Sequence, residues 1–466
     1  CEWLQKCHVI QARRAAQDAD LVVINHHLLC ADLALKEEGF GELLPGADAF
    51  IIDEAHQLPE TAARFFGVTL SSRQLQELAQ DSISEYLRET AEQEGLPGTA
   101  RAVDHAVQEV RLSMGQGEQR LPWSRLAQEK TLIERLARLR ESLAALSAEL
   151  EQQAGRSRGL DNCYQRAVKL QHVLTQTTEN PPENTIHWFE TWRQSFRINL
   201  TPLDVADNFS THRQELPSRW IFTSATLSVN DKFEHFARRL GLEDANTLKL
   251  DSPFDFHNHA LFYVPEGLPE PAHGSYTDTM LDHAEQIIRA SRGRTFVLFT
   301  SYRALNIAQR RLKDSCEFPL LVQGSAPRNE LLQRFRELGN AVLLGTSSFW
   351  EGVDVRGEAL SCVIIDKLPF ASPGDPVWQA RIDALKERGG NPFIEEQLPH
   401  AVITLKQGVG RLIRDVNDRG VLVICDPRLV SKSYGRVFLN SLPDMKRTRD
   451  FSEVVAFFQA SDVARL

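Results

Sequence analysis

The stretch Ala49-Phe50-Ile51-Ile52-Asp53-Glu54-Ala55-His56 decides how this chain is read. Four apolar residues in an unbroken run fit a strand buried on both faces, as in a parallel sheet. The run then breaks into two carboxylates and a histidine. Open α/β sheets put their ligand-binding loops at the C-terminal ends of their strands. A carboxylate there, Asp53, can hold hydrated Mg²⁺ against nucleotide phosphates. Its neighbour Glu54 can orient and deprotonate an attacking water. Metal-assisted phosphoanhydride hydrolysis needs two such acids with different tasks. A plain acidic loop after a strand is the alternative, and four residues alone leave it open.

Two further runs in the first half have the same form: Leu21-Val22-Val23-Ile24, ending in Asn25-His26-His27, and Trp220-Ile221-Phe222, ending in Thr223-Ser224. Between about residues 69 and 190 the pattern changes. Leu75, Leu78, Ile83 and Leu87, then Leu132, Leu136, Leu139, Leu143, Leu146 and Leu150, recur at steps of three and four. That spacing predicts a helical insertion within the first sheet domain. After about residue 250 a second α/β pattern begins. Its predicted strands are 261–264, 295–299, 320–322, 341–344, 362–365 and 421–424, mostly separated by helical stretches. The expected fold class is α/β, with two parallel-sheet domains and the first interrupted by helices.

A chain of 466 residues is long for one hydrophobic core, which agrees with this division. No run of 18 apolar residues occurs, so no membrane span or membrane partner is expected. The first residues lack the apolar stretch of a signal peptide and begin at Cys, so the chain is read as a fragment whose natural N-terminus is missing. A net charge of −10 argues against a surface coated in basic residues, yet a groove can be locally basic in an acidic molecule. Cys362 and Cys425 fall in strand-like runs and are read, with Cys30, as structural thiols of a cytoplasmic protein.

A second group of candidate site residues lies in Gln407-Gly408-Val409-Gly410-Arg411-Leu412-Ile413-Arg414. If helical throughout, Gln407, Arg411 and Arg414 share one face. Two guanidiniums beside a γ-phosphate stabilise transition-state charge. Two glycines in one turn would weaken an ordinary solvated helix by about 1 kcal/mol each, so a purely structural account fits poorly. Thr223-Ser224-Ala225-Thr226 offers hydroxyls that can link a nucleotide site to a bound strand. Thr346-Ser347-Ser348-Phe349-Trp350-Glu351-Gly352-Val353-Asp354 follows another predicted strand. Its hydroxyls suit phosphate contacts, and Trp350 has equal claims as a base-stacking platform and as a buried packing residue.

The order of these segments carries more than any one of them. The acidic box, Ser-Ala-Thr, Phe299-Thr300-Ser301-Tyr302, Trp-Glu-Gly-Val-Asp and Gln-Gly-x-Gly-Arg-x-x-Arg resemble superfamily 2 helicases. The helical insertion points to the XPD-like branch. Asn25-His26-His27-Leu28-Leu29 and Ile365-Asp366-Lys367-Leu368-Pro369-Phe370 look closest to the YoaA/DinG-type iron–sulfur DNA helicases, and the likeness covers essentially the whole chain.

That resemblance implies an ATP-dependent 5′-to-3′ DNA helicase of repair and replication, coupling Mg-ATP hydrolysis to translocation on single-stranded DNA. It implies two RecA-like motor domains, with an arch at 69–190 inserted into the first. Residues 9–68 and 191–249 would form motor domain 1, residues 250–466 motor domain 2, and residues 1–8 the remnant of an iron–sulfur domain. Asp53 and Glu54 would bind Mg²⁺ and activate water, and His56 would couple hydrolysis to the DNA. Gln407, Arg411 and Arg414 would reach ATP, with Gly352 and Asp354 nearby. Ser224, Thr226, Ser301, Ser347 and Trp350 would serve DNA binding or coupling. Cys1 and Cys7 would be two of four thiolates on a [4Fe–4S] cluster. The chi subunit of the replicative polymerase holoenzyme is an implied partner. The phosphate loop and the other two cysteines of this family are not found in these residues. The chain as it stands is therefore expected to hydrolyse no ATP and to hold no intact cluster. An RNA helicase of the Asp-Glu-Ala-His type and a non-catalytic nucleic-acid-binding scaffold are the competing readings.

Overall fold

A computed structural model describes residues 6–37, 44–89, 95–216, 218–350, 355 and 357–463, without the side chains of 347, 348 and 461–463. The chain divides into two compact units. The first comprises residues 1–224, 238–242 and 372–390, and the second comprises 225–237, 243–371 and 391–466.

Among its described residues the first unit holds six strands: β1 (Ala49–Ile52), β2 (Val68–Ser71), β3 (Gln119–Pro122), β4 (Thr185–Thr191), β5 (Phe196–Pro202) and β6 (Arg219–Phe222). β1 and β6 pair in parallel, with Ile52 opposite Phe222. This register brings Asp53 and Thr223, the next residues on each strand, to one edge. The predicted strand at 21–24 does not form. Leu21 is 79% and Val23 89% exposed, and among the described residues only β1 and β6 belong to this sheet. Without a neighbouring ladder, an apolar run has neither hydrogen-bond partners nor cover for its side chains.

The leucine spacing at 69–190 does produce helices, at Ser72–Glu89, Leu96–Ser113, Lys130–Gln152 and Arg158–Thr178. All six leucines of the stripe from Leu132 to Leu150 are buried. The block also contains what the spacing did not reveal, an antiparallel sheet in the order β2-β5-β4-β3. Phe189, Phe196 and Ile198 of that sheet share one apolar core with the helices.

Among its described residues the second unit is built on seven strands: β7 (Ala260–Tyr263), β8 (Thr295–Leu298), β9 (Leu320–Val322), β10 (Val342–Gly345), β11 (Cys362–Ile365), β12 (Gly420–Ile424) and β13 (Lys446–Thr448). All pair in parallel, in the order β13-β7-β12-β11-β8-β10-β9. Successive residues alternate between two cores. Phe296, Leu298, Val363 and Ile365 face one, and Val297, Cys362 and Ile364 face the other. A sheet covered on both faces explains why its strands read as unbroken apolar runs. Among the described residues, no helix is long and apolar enough to cross a membrane.

Candidate functional site

In the first unit the box closes on itself through its parallel partner. Thr223 N donates to Ile52 O (2.8 Å) and Ala55 N to Thr223 O (3.0 Å), which continues the β1–β6 ladder one step into the loop. Glu54 there takes φ of +49°, a left-handed conformation uncommon for a residue with a side chain and often found at functional sites. Both carboxylates are exposed. Thr223 Oγ1 donates to Asp53 Oδ1 at 3.0 Å, and Ser224 Oγ donates to Glu54 Oε2 at 3.0 Å. With its one hydrogen given to Glu54, Ser224 Oγ accepts from His56 Nδ1, also at 3.0 Å. His56 Nδ1 lies 3.3 Å from Glu54 Oε2 as well. His26 Nε2 donates to Asp53 O at 2.8 Å. Asp53, Glu54, His56 and Ser224 are thus brought together from segments about 170 residues apart. Thr223, read in the sequence only as part of the hydroxyl-bearing segment 223–226, and His26, given no role there, join them. Their signal was position, each standing beside an apolar run.

Such a cluster can hold a hydrated divalent cation on Asp53 while Glu54 accepts a proton from water. As placed, Glu54 is held by a hydroxyl and an imidazole, so its orientation is set by Ser224 and His56.

In the second unit, the helix Leu398–Val409 carries Gln407 and Gly408 but ends before Arg411. Arg411 and Arg414 therefore do not continue a helical face with Gln407, as the sequence led one to expect. The glycine-weakened end unwinds into a turn, with Arg411 N donating to Gly408 O and Leu412 N to Val409 O. Asp418 Oδ2 then accepts from Arg414 N (2.7 Å) and Asp415 N (2.8 Å). Arg411 is buried and its Nε donates to Trp350 O at 2.9 Å. Trp350 is 2% exposed, and its Nε1 donates to Phe299 O at 3.4 Å. Its ring lies where a Cβ on Gly408 would come within 2.8 Å. Trp350 is thus a packing residue here, with no face open to a base. Gln407 is 6% exposed, and its Oε1 is a buried acceptor without a hydrogen-bond partner among the described residues. An unmatched buried acceptor costs about 1–3 kcal/mol, which a donating ligand or water removes.

Ser301 caps the helix Tyr302–Ser315, its Oγ accepting from Ala304 N at 3.3 Å. The preceding Thr300 is gripped by Asp366 at the end of β11, through N to Oδ1 (3.0 Å) and Oγ1 to Oδ2 (3.2 Å). Burial pushes the Asp366 carboxyl up to about 7, opposed by the nearby Lys367 ammonium. Thr226 is buried. Cys1, Gly352, Asp354 and the side chain of Ser347 lie outside the described residues. Cys7 precedes the helix His8–Asp18 as a half-buried free thiol. Among the described residues no group of three or more His, Cys, Asp or Glu is placed to hold a metal ion, so Cys7 does not belong to a complete cluster site there. Cys30 and Cys362 are buried thiols, each pushed up to about 12 by desolvation. That suits packing residues better than reactive ones.

The family described as "Helicase C-terminal domain" matches residues 284–445. The ATP-dependent DNA helicase YoaA of Escherichia coli (strain K12) is 46% identical over 98% of this chain and 72% of its own length. The ATP-dependent helicase DinG of Mycobacterium tuberculosis (strain H37Ra) is 31% identical over 98% of this chain and 68% of its own length. Among solved structures, one titled XPD helicase superposes with a TM-score of 0.61 at 17% identity, over 96% of this chain and 77% of its own. That agreement is one of fold, an α/β architecture with parallel sheets. The chain belongs to the YoaA/DinG family of ATP-dependent DNA helicases.

Proposed function

We propose that this chain is the motor portion of a helicase that moves 5′ to 3′ along single-stranded DNA. The observation that carries the reading is the closed network of Asp53, Glu54, His56, Thr223 and Ser224 at the paired ends of β1 and β6. On this reading Asp53 holds the Mg²⁺ of Mg-ATP, which supplies charge neutralisation on the phosphates. Glu54 accepts the proton of the attacking water. Gln407, Arg411 and Arg414, with Gly352 and Asp354, serve the same nucleotide. The Gln407 Oε1, unmatched among the described residues, supports this, since it is an acceptor that a donating ligand would satisfy. Arg411 already donates from Nε to Trp350 O.

Ser224, Thr226, Ser301 and Ser347 are read as the DNA-coupling residues, and the insertion at 69–190 as the arch. Cys1 and Cys7 are read as two ligands of an iron–sulfur cluster, a reading tested by iron content and colour in wild type and Cys7→Ser.

In the full-length protein, Glu54→Gln should abolish DNA-stimulated ATP turnover while nucleotide binding persists. Retained turnover would sink the assignment of Glu54. Stimulation by RNA equal to that by single-stranded DNA would favour the RNA-motor alternative. Displacement of strands only from 3′-tailed duplexes would reverse the polarity.

A further inference from the structure

Two tryptophans of the antiparallel sheet in the first unit, Trp188 on β4 and Trp192 just beyond it, each lie under an arginine, with different outcomes. Strand side chains alternate, so residues 188, 190 and 192 project to one face. The Arg120 guanidinium lies 4.5 Å from the centroid of the Trp188 ring. That pair is closed. Trp188 is buried, with Nε1 donating to Thr201 Oγ1 at 2.9 Å. Arg120 pairs with Asp375 at 3.2 Å and reaches Glu190 at 3.9 Å.

The Arg197 guanidinium lies 5.2 Å from the centroid of the Trp192 ring, and this pair is open. Trp192 is half-buried, while Arg193 and Arg197 are exposed. Among the described residues neither of these guanidiniums has an ion pair or a hydrogen bond. Glu118, one step before the Gln119–Thr191 pair, is the carboxylate that the register brings to this end of the sheet, and it pairs with neither.

The backbone beneath them is held. Trp192 N donates to Ser195 O at 2.8 Å, which leaves Arg193 and Gln194 at the turn between β4 and β5. Arg111 is buried and directs its guanidinium at three carbonyls. Its Nε donates to Trp192 O (2.6 Å), Nη1 to Gly115 O (2.8 Å) and Nη2 to Gly117 O (3.1 Å). Thr191 Oγ1 also donates to Gly117 O at 3.1 Å. A buried charge is costly unless it is hydrogen-bonded, and here its bonds tie the hairpin tip to the loop at 115–117. Trp192 is therefore presented on a backbone fixed in advance, which lowers the ordering cost of binding.

A half-buried indole beside two unpaired guanidiniums suits a ligand with flat rings and regularly spaced negative charges. Single-stranded nucleic acid has both, since every base has a π-face and arginine matches phosphate. An acidic peptide supplies the charge without the rings. We infer that the β4–β5 tip is a single-stranded DNA contact separate from the Asp53–Ser224 network: Trp192 stacks on a base, and Arg193 and Arg197 meet the flanking phosphates. The inference rests on reading the chain as a single-stranded DNA motor and adds a contact outside the residues assigned to that motor.

The test is binding of the full-length protein to a labelled oligo-dT strand, and to the same strand made abasic, across a range of salt concentrations. Trp192→Ala should weaken binding to oligo-dT about tenfold, and Trp192→Phe should restore most of it. On the abasic strand Trp192→Ala and wild type should bind alike, which a general disturbance of the fold would not produce. Arg193→Gln should reduce the slope of log affinity against log salt by about 0.7 on both strands. Arg193 is exposed at the turn, so this variant decides the matter if Trp192→Ala does not fold. Wild-type affinity and slope in Trp192→Ala and Arg193→Gln overturn the inference alone. An equal loss on oligo-dT and polyglutamate also overturns it, and assigns the tip to an acidic protein. A wild type that binds no single-stranded DNA overturns the motor reading and this contact with it.

Discussion

Asp366 stands at the end of β11 with 1% of its surface exposed, accepting hydrogen bonds from Thr300 and from Lys367 N. Desolvation raises its carboxyl from 3.8 to about 7. The sign of the linkage follows. Between those values the unfolded chain has released the proton while the folded chain keeps it, so stability falls as pH rises through the window. A shift of this size corresponds to about 4 kcal/mol at most. Asp366→Asn should therefore flatten the fall in urea-unfolding stability between pH 4 and pH 7, and an unchanged slope would refute the assignment. None of this was legible in the sequence, where Asp366 was only part of a family-like segment. Asp53 and Glu54 were legible because a change from apolar to acidic at a strand end is a local signal. Burial by distant elements leaves no such local mark.

At the scale of elements, reading succeeded where the burial pattern was one-dimensional. The stripe from Leu132 to Leu150 and the seven strands of the second unit repeat at periods set by helix and strand geometry, apart from short β13, which was not anticipated. It failed at 21–24, where an apolar run has no ladder to join, and at β4 and β5, which were hidden among strong helical signals. It failed also at Arg411 and Arg414, because the helix stops at its glycines. Ser301 shows how one residue serves an element. It was singled out for DNA coupling, yet its hydroxyl caps the helix Tyr302–Ser315. Ser301→Ala should cost the second unit about 1 kcal/mol. Ser301→Asp should keep the cap, since Asp is as good an N-cap as Ser, while placing a negative charge that weakens single-stranded DNA binding if the residue also meets phosphate. Thermal unfolding and DNA titration of the two variants separate the roles. A loss of stability in Ser301→Asp equal to that in Ser301→Ala would count against capping.

On the scale of the whole molecule, the apolar cores are distinct. One joins the helices of 72–178 to the antiparallel sheet, and two lie on opposite faces of the seven-stranded parallel sheet. Among the described residues, none belongs both to the first and to either of the others. Molecules with separate cores depart from two-state unfolding, and substitutions without shared partners act independently. Leu139, fully buried in the stripe, reports on the first core, where Leu139→Ala should cost about 2–5 kcal/mol through the cavity it leaves. Gly408 reports on the second unit. A Cβ there would meet the Trp350 ring at 2.8 and 3.0 Å, so Gly408→Ala should cost about 1–3 kcal/mol by overpacking, set against the smaller gain in helix propensity. Urea unfolding should then resolve into two transitions, with Leu139→Ala moving one midpoint and Gly408→Ala the other. In the double variant each shift should equal that of its single variant within about 0.5 kcal/mol. A single transition moved by both substitutions would mean that the cores unfold as one cooperative body.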